Sequence, residues 1–328
     1  MNMKISVLGG GAWGSTLAQY LYKNHHTVSL WEFDKSRLNH LKKNRYPVFF
    51  PHVKLSKQVY LTSNLSEIIK DAHILLLTVP SQSMRTTVKE IYKYTNKNQI
   101  FIIASKGIEI KTGEPLSKIV KEELKTNNVV VLSGPSFAIE VAKGFPTAIV
   151  AAGQEKISKV IQKCFSSQNL RIYTNTDIIG VETGGALKNI IAIACGIARG
   201  MGLGDNSLAA IVTRGLVEIA LLGVKLGAKK ETFSGLSGLG DMVMTSFSKN
   251  SRNESFGELI GKGLKTNIAI KKIGMTVEGV YTTQAVIKLA GKLKIEMPIT
   301  NEVYKIILKG KNPKKAISTL MMRNVKPE

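Results

Sequence analysis

Gly9-Gly10-Gly11-Ala12-Trp13-Gly14 spells G-x-G-x-x-G, directly after the apolar run Lys4–Leu8 and at the start of a helical pattern. In that context such a run can cradle the pyrophosphate of a dinucleotide. Gly9 permits the tight turn, Gly11 lets backbone approach the phosphates, and Gly14 lets the helix pack closely on the strand. The helix start adds unpaired N–H groups and partial positive charge. The second strand of such a unit ends at Trp31-Glu32-Phe33-Asp34, where Glu32 or Asp34 could accept from the adenosine ribose hydroxyls. A carboxylate there repels the 2′-phosphate of NADP, which favours NAD slightly, while Lys35 and Arg37 keep NADP open. The plainer alternative is that both acids are solvated loop residues.

Further along, Ser105-Lys106-Gly107 follows the apolar run Ile100–Ala104. In open α/β sheets ligands sit beyond the carboxyl ends of the strands, which makes Lys106 a candidate anion ligand. Ser133-Gly134-Pro135-Ser136-Phe137-Ala138 repeats this arrangement after the next strand, although a simple capped turn explains it equally well. In Gly180-Val181-Glu182-Thr183-Gly184-Gly185-Ala186-Leu187-Lys188-Asn189, glycine within a helix costs about 1 kcal/mol against alanine. Gly180, Gly184 and Lys188 fall on one helical face, so a bare surface beside an amine would make room for a flat ring or a small substrate. Close helix packing with Lys188 reaching out to water is the alternative. Asp241 ends a Gly238-Leu239-Gly240 turn, and Ser251-Arg252-Asn253 would suit a phosphate monoester, since arginine presents a fork matched to phosphate oxygens. The triplet also reads as an ordinary helix N-cap.

These residues need a scaffold that alternates strands and helices and then becomes helical. Strands are expected at Lys4–Leu8, Thr27–Trp31, His73–Val79, Ile100–Ala104, Val129–Leu132 and Thr147–Ala151, forming a parallel sheet covered by helices. From Asp177, an expected N-cap, helices follow at Ile178–Ile197, Ser207–Leu226, Asn253–Lys262, Val280–Leu293 and Ile299–Leu308. The implied fold class is α/β with a Rossmann-type domain over 1–177 and an all-α domain over 178–328. A chain of 328 residues is long enough for two cores. Hydrophobic residues at 44% and charged residues at 21% place it among globular proteins. The greasy run Leu208–Val224 is broken by Arg214 and Glu218, so no membrane span is expected. The start of the chain has no secretory pattern, and two cysteines, Cys164 and Cys195, suit a reducing cytoplasm. The charge of +23 could attract a polyanion, but the lysines are scattered, without zinc-finger spacing or an aromatic RNA-binding motif. Neither a nucleic-acid partner nor a metal is expected.

Taken in order, GGGAWG, SKGIE (Ser105–Glu109), GPSFA with Glu140, ETGGALKN, IIAIACGIARGMGLGDN, TRGLVE, GLSGLGD, SRN and VEGVYTT closely resemble the bacterial NAD(P)-dependent glycerol-3-phosphate dehydrogenases through nearly the whole chain. The resemblance implies a Rossmann domain, a helical domain of the 6-phosphogluconate dehydrogenase C-terminal type, a cleft between them, and a cytoplasmic homodimer. It implies reversible reduction of dihydroxyacetone phosphate to sn-glycerol 3-phosphate, supplying phospholipid synthesis. By resemblance Lys188 is the proton donor and acceptor, and Lys106, Gly134, Ser136, Lys188, Asp241, Ser251, Arg252 and Asn253 bind substrate. Gly9, Gly11, Ala12, Trp13, Gly14, Glu32, Phe33, Asp34, Phe49, Lys106, Ala138, Arg252, Val277 and Glu278 fall on the cofactor side. The departures lie near the adenosine: Ala12 where serine is frequent, Phe33 near a usual basic residue, and Phe49-Phe50-Pro51 for a YLP triplet. A β-hydroxyacid or 6-phosphogluconate dehydrogenase is the near rival. A basic nucleic-acid-binding redox sensor is the distant one, marked by salt-dependent binding without turnover.

Overall fold

The computed structural model describes residues 2–324 and divides into two compact units. Among the described residues the first comprises 2–106 and 114–182, the second 107–113 and 183–324. Of the expected 178–328 region, residues 325–328 lie outside the described residues.

An eight-stranded sheet forms the first unit. Its strands are β1 (Lys4–Leu8), β2 (Thr27–Trp31), β3 (Tyr60–Thr62), β4 (Ile74–Leu77), β5 (Ile100–Ile103), β6 (Val129–Ser133), β7 (Thr147–Ala152) and β8 (Leu170–Asn175). They lie in the order β3-β2-β1-β4-β5-β6-β7-β8. Ile-Leu-Leu-Leu of β4 is buried at every position, as a strand covered on both faces must be. The order reverses between β1 and β4, where open sheets of this type bind ligands. The helices of this unit are α1 (Ala12–Lys23), α2 (Lys35–Asn44), α3 (Ser66–Ile69), α4 (Met84–Ile91), α5 (Leu116–Leu124), α6 (Ala138–Ala142) and α7 (Glu155–Phe165). Leu17 and Leu21 of α1, and Ile161 and Phe165 of α7, pack into one core with Ile74, Ile102 and Val130.

Two features differ from the sequence expectation. The sheet is not wholly parallel: β7 runs antiparallel to β6, and β8 parallel to β7. The strands β3 and β8 were not anticipated, and both are edges. A three-residue strand gives almost no periodic signal, and Leu170–Asn175 carries Arg171 and outward polar residues, as edges do to discourage further pairing.

The second unit is helical, with α8 (Ile178–Gly200) entering it, then α9 (Asp205–Lys225), α10 (Asp241–Phe247), α11 (Arg252–Gly261), α12 (Thr266–Ile273), α13 (Glu278–Leu293), α14 (Pro298–Lys309) and α15 (Pro313–Met321). Asp177 caps α8 as expected, its Oδ1 accepting from the Gly180 N–H at 2.8 Å. Both α8 and α9 are long and apolar enough to cross a membrane. Burial of 89% of the apolar window of α8 makes it a core helix, while 39% is buried in α9.

Glycines let α8 and α11 touch backbone to backbone. A Cβ on Gly196 or Gly200 would meet the Glu254 or Glu258 carbonyl oxygen at 2.0 or 2.2 Å, and one on Gly257 or Gly261 would meet the Ile193 or Ile197 oxygen at 2.2 Å. Any side chain there would push the helices apart, so their register is fixed. Remote glutamates cap other helix starts. Glu218 of α9 accepts from the N–H groups of Ile299 (2.6 Å) and Thr300 (3.1 Å) at the head of α14. Glu182 accepts from Ser117 N–H at 2.9 Å and Ser117 Oγ at 2.5 Å at the head of α5.

Burial pushes the Glu182 carboxyl up to about 7, against hydrogen bonds from Ser117 that favour its charged form. An acid whose folded pKa exceeds its unfolded value of 4.5 contributes most stability below that value and loses it as pH rises through about 7. The thermal midpoint of the protein should therefore fall relative to that of Glu182→Gln between pH 5 and 8. A constant difference across that range would show that the carboxyl titrates normally.

Candidate active site

The glycine turn joins the end of β1 to α1. Gly9 has φ of +121°, and the Gly9 N–H donates to the Trp31 carbonyl at 2.9 Å. A Cβ on Gly14 would lie 2.0 Å from the Gly9 oxygen, so the third glycine permits helix and turn to meet. Thr78, just past β4, donates its hydroxyl to the carbonyls of Leu8 and Gly9, both at 3.0 Å, and braces the turn from the neighbouring strand. Gly11 is the N-cap of α1 with no side-chain cap, and a Cβ there would have nothing within 4 Å. An exposed glycine before an uncapped helix start fits a pyrophosphate, for which the first-turn N–H groups are donors. Ala12 and Trp13 begin that helix, and Trp13 packs half-buried against the core.

Glu32 is not a solvated loop residue. It is 8% exposed, with Oε2 accepting from Gly10 N–H at 3.1 Å and Oε1 from Asp34 N–H at 3.0 Å. Asp34 is exposed and caps α2, accepting from Ser36 N–H (2.8 Å) and Arg37 N–H (3.0 Å). Hydrogen bonds from the Arg37 backbone first, and then from the side chain and backbone of Ser36, hold its carboxyl below the usual range. Phe33 is 76% and Phe49 58% exposed, and the Arg37 guanidinium lies 5.8 Å from the Phe49 ring centre. Exposed aromatic faces of this kind suit a nucleobase.

Three candidates from two sequence segments come together beyond β5 and β6. Lys106 Nζ donates to the Gly134 carbonyl at 3.1 Å, and Ser136 Oγ donates to the same oxygen at 3.0 Å. Gly134 has φ of +131°, with the Ile149 Cα only 3.0 Å from where its Cβ would be, so glycine is required. Ala138 is the first residue of the short helix α6.

In the second unit Lys188 is 5% exposed and does not reach water. Its ammonium donates to Asp241 Oδ1 and, at 2.6 Å, to Thr245 Oγ1. The Thr245 hydroxyl in turn donates to the Asp241 carbonyl at 2.6 Å. A π-helical turn, Leu236–Gly240, delivers Asp241 to the start of α10, and such turns are frequent at functional sites. The expected open space on α8 is not found at Gly184. A Cβ there would stand 2.7 Å from the Ser237 oxygen and 3.2 Å from Gly238 Cα, so this glycine admits the π turn rather than a ligand.

The Ser251-Arg252-Asn253 triplet divides its work. Ser251 is 3% exposed and caps α11, its Oγ accepting from Glu254 N–H at 3.2 Å. Asn253 donates Nδ2 to Asn189 Oδ1 at 3.0 Å and accepts from Gly279 N–H at 2.9 Å, tying α8, α11 and α13 together. Arg252 is exposed, with Nη1 donating to the Thr276 carbonyl at 3.0 Å. That bond orients the guanidinium and leaves most of its five N–H donors for an anion. Val277 is buried at the N-cap of α13, and Glu278 is its first residue.

Sequence reading missed Thr245, Asn189 and Gly10. Thr245 lies one helical turn from Asp241, so the i, i+4 spacing was available as a signal. Nothing in the sequence pairs Asn189 with Asn253. Among the described residues no group of histidine, cysteine and acidic side chains could hold a metal ion.

The chain resembles known proteins along nearly its whole length. Residues 4–158 match the family model described as NAD-dependent glycerol-3-phosphate dehydrogenase N-terminus, and residues 177–318 match its C-terminus counterpart. The chain is 45% identical over 327 residues to a glycerol-3-phosphate dehydrogenase [NAD(P)+] of Thermoanaerobacter sp. (strain X514), covering 99% of each chain. It is 46% identical to the enzyme of that name from Carboxydothermus hydrogenoformans, covering 100% of this chain and 98% of the relative. The crystal structure of glycerol-3-phosphate dehydrogenase from Coxiella burnetii superposes with a TM-score of 0.94 at 34% identity, over 98% of this chain and 99% of that one. The glycine turn, the buried lysine and the helical unit that holds it thus belong to a member of the NAD-dependent glycerol-3-phosphate dehydrogenase family.

Proposed function

We propose that this chain catalyses the reversible, NAD(P)H-dependent reduction of dihydroxyacetone phosphate to sn-glycerol 3-phosphate, with Lys188 as the group that moves the proton. The single observation that carries this reading is an ammonium, almost fully buried, held by Asp241 and Thr245 in a chain that also builds a dinucleotide turn. A bound reduced nicotinamide supplies the hydride.

Reduction of the ketone leaves negative charge on its oxygen, which must gain a proton. Lys188 gives up one N–H proton to that oxygen, forming O–H and leaving a neutral amine. In the reverse direction the neutral amine takes the hydroxyl proton back. Asp241 and Thr245 fix where the remaining donors point, so the transferring N–H is aimed without reorganisation. Arg252 holds the phosphate, turning binding energy remote from the reacting carbon into alignment. Ser251 and Asn253 hold the backbone at the head of α11 that carries it. Lys106, Gly134 and Ser136 supply further substrate contacts. The cofactor side comprises Gly9, Gly11, Ala12, Trp13, Gly14, Glu32, Phe33, Asp34, Phe49, Ala138, Val277 and Glu278. The family reading also carries the cellular role, supply of glycerol 3-phosphate for glycerophospholipid synthesis.

Two substitutions test the roles. Lys188→Ala should lower kcat on the order of 10²-fold or more, as loss of a general acid–base does, with the Kd for the reduced dinucleotide nearly unchanged. A normal kcat would remove Lys188 from the chemistry. Arg252→Ala should act chiefly by raising KM for dihydroxyacetone phosphate. If wild-type enzyme reduced unphosphorylated dihydroxyacetone equally well, a phosphate clamp at Arg252 would be wrong.

A further inference from the structure

We propose that the outward face of α15 is a docking surface for an anionic lipid membrane, with Met321 and Met322 entering the headgroup layer and Lys314 and Lys315 meeting its charge. Neither the reaction nor the cofactor enters this inference, which goes beyond the function proposed above.

The helix already has the apolar residues it needs for packing. Pro313, Ala316, Ile317 and Leu320 recur at the i, i+3, i+4, i+7 spacing of a single stripe, and each is buried or half-buried. The neighbour is α14, against which α15 packs. The opposite face should then be polar throughout, and at first it is, with Lys314, Lys315, Ser318 and Thr319 exposed. Met321 and Met322 follow on that same face, each two turns after a lysine, and stand 78% and 84% exposed. Among the described residues no other large hydrophobic side chain is as exposed. The Met322 N–H still donates to the Ser318 carbonyl at 3.0 Å, so helical geometry carries through both methionines. Water around two unpacked apolar chains is unfavourable, and a cover relieves it.

Charge identifies the cover. Residues 309–315 read Lys-Gly-Lys-Asn-Pro-Lys-Lys, and from Pro298 to Asn324 the sequence holds one acid, Glu302. That acid is taken, because it is buried and accepts from Lys305 at 2.9 Å and from Lys311. Lys309, Lys314 and Lys315 pair with no carboxylate among the described residues. Arg323 meets Glu296 at 2.9 Å, an exposed pair that water and salt weaken. A second copy of the chain would set these cations against the same cations across a two-fold axis. An anionic lipid surface meets all of them with opposite charge, and the unbranched methionine chain adapts to an irregular headgroup layer. Nine residues are too few to span a bilayer, so α15 lies in the interface.

The test is sedimentation of the whole protein with vesicles of phosphatidylcholine, alone or with phosphatidylglycerol added. Wild type should partition on the order of 10²-fold better onto the anionic vesicles at low salt, and lose most of that preference at about 1 M salt. A lysine near an anionic surface contributes roughly fivefold, so Lys314→Gln with Lys315→Gln should weaken binding about 30-fold. Met321→Ser with Met322→Ser should weaken it on the order of tenfold or more. Both double variants should keep the wild-type thermal midpoint and kcat, since these side chains lie outside the core. As a control, Lys93→Gln with Lys97→Gln removes the same charge from an exposed stretch of the first unit and should cost less than about threefold. Equal binding to neutral and anionic vesicles, an equal loss in the control, or unaltered binding by the methionine variant would each overturn the proposal. So would a wild-type dimer that the methionine substitutions dissociate, because a second copy would then be the cover.

Discussion

An ammonium taken out of water is tolerated only if its charge and its N–H donors are matched inside the protein, because leaving one partner of a buried pair uncompensated costs about 3–5 kcal/mol. Lys188 meets that condition through Asp241, itself fully buried, and Thr245. The arrangement constrains everything around it. Asp241 must arrive at one place on α8, and the π turn brings it there against the bare Gly184. The helix α11, which carries Arg252, lies against the same α8 through four glycines, with no layer of side chains to yield between them. Asn253 adds a bracket to Asn189, the neighbour of Lys188 in sequence. Amine and guanidinium are thus mounted on one stiff piece of structure, the preorganisation that general acid catalysis requires.

The first unit solves a different problem, the approach of backbone to a polyanion. Its glycines each answer a separate constraint: Gly9 an unusual φ, Gly14 the packing of helix on turn, Gly11 open space, Gly10 the carboxylate of Glu32. Thr78 and the Trp31 carbonyl brace that turn from β4 and β2. Because the donors are backbone groups, the site cannot be reshaped by rotamer changes.

Features written in local spacing were legible in the sequence. The glycine turn, the central strands, the Asp177 cap and the division into a sheet region and a helical region all rest on short-range patterns. Lys188 stands out because glycines inside a helix need a reason, and of the two the sequence leaves open, room for a ligand or close packing, Gly184 follows the second. Only contact with Ser237 and Gly238, some fifty residues away, shows that Gly184 serves packing. The same limit hid Gly10, whose need for a bare Cα comes from Glu32 across the β1–β2 pair, and Asn189. It also hid the reversed direction of β7, since a hydrophobic run looks the same in either orientation. The edge strands β3 and β8 escaped because edges suppress the very pattern that marks a strand. The family resemblance supplies a role for Asp241, which spacing alone leaves at the end of a turn, and favours the phosphate reading of Arg252 over the plain cap.

The central claim, that the Lys188 amine moves the proton, is tested most directly by restoring the missing amine from solution. In a folded Lys188→Ala protein, small primary amines should raise the rate of dihydroxyacetone phosphate reduction in proportion to their concentration. Among amines of similar size, the rate should also vary with amine pKa, as general acid catalysis requires. Amines without effect at any concentration, in a variant shown to bind both dinucleotide and substrate, would contradict the account.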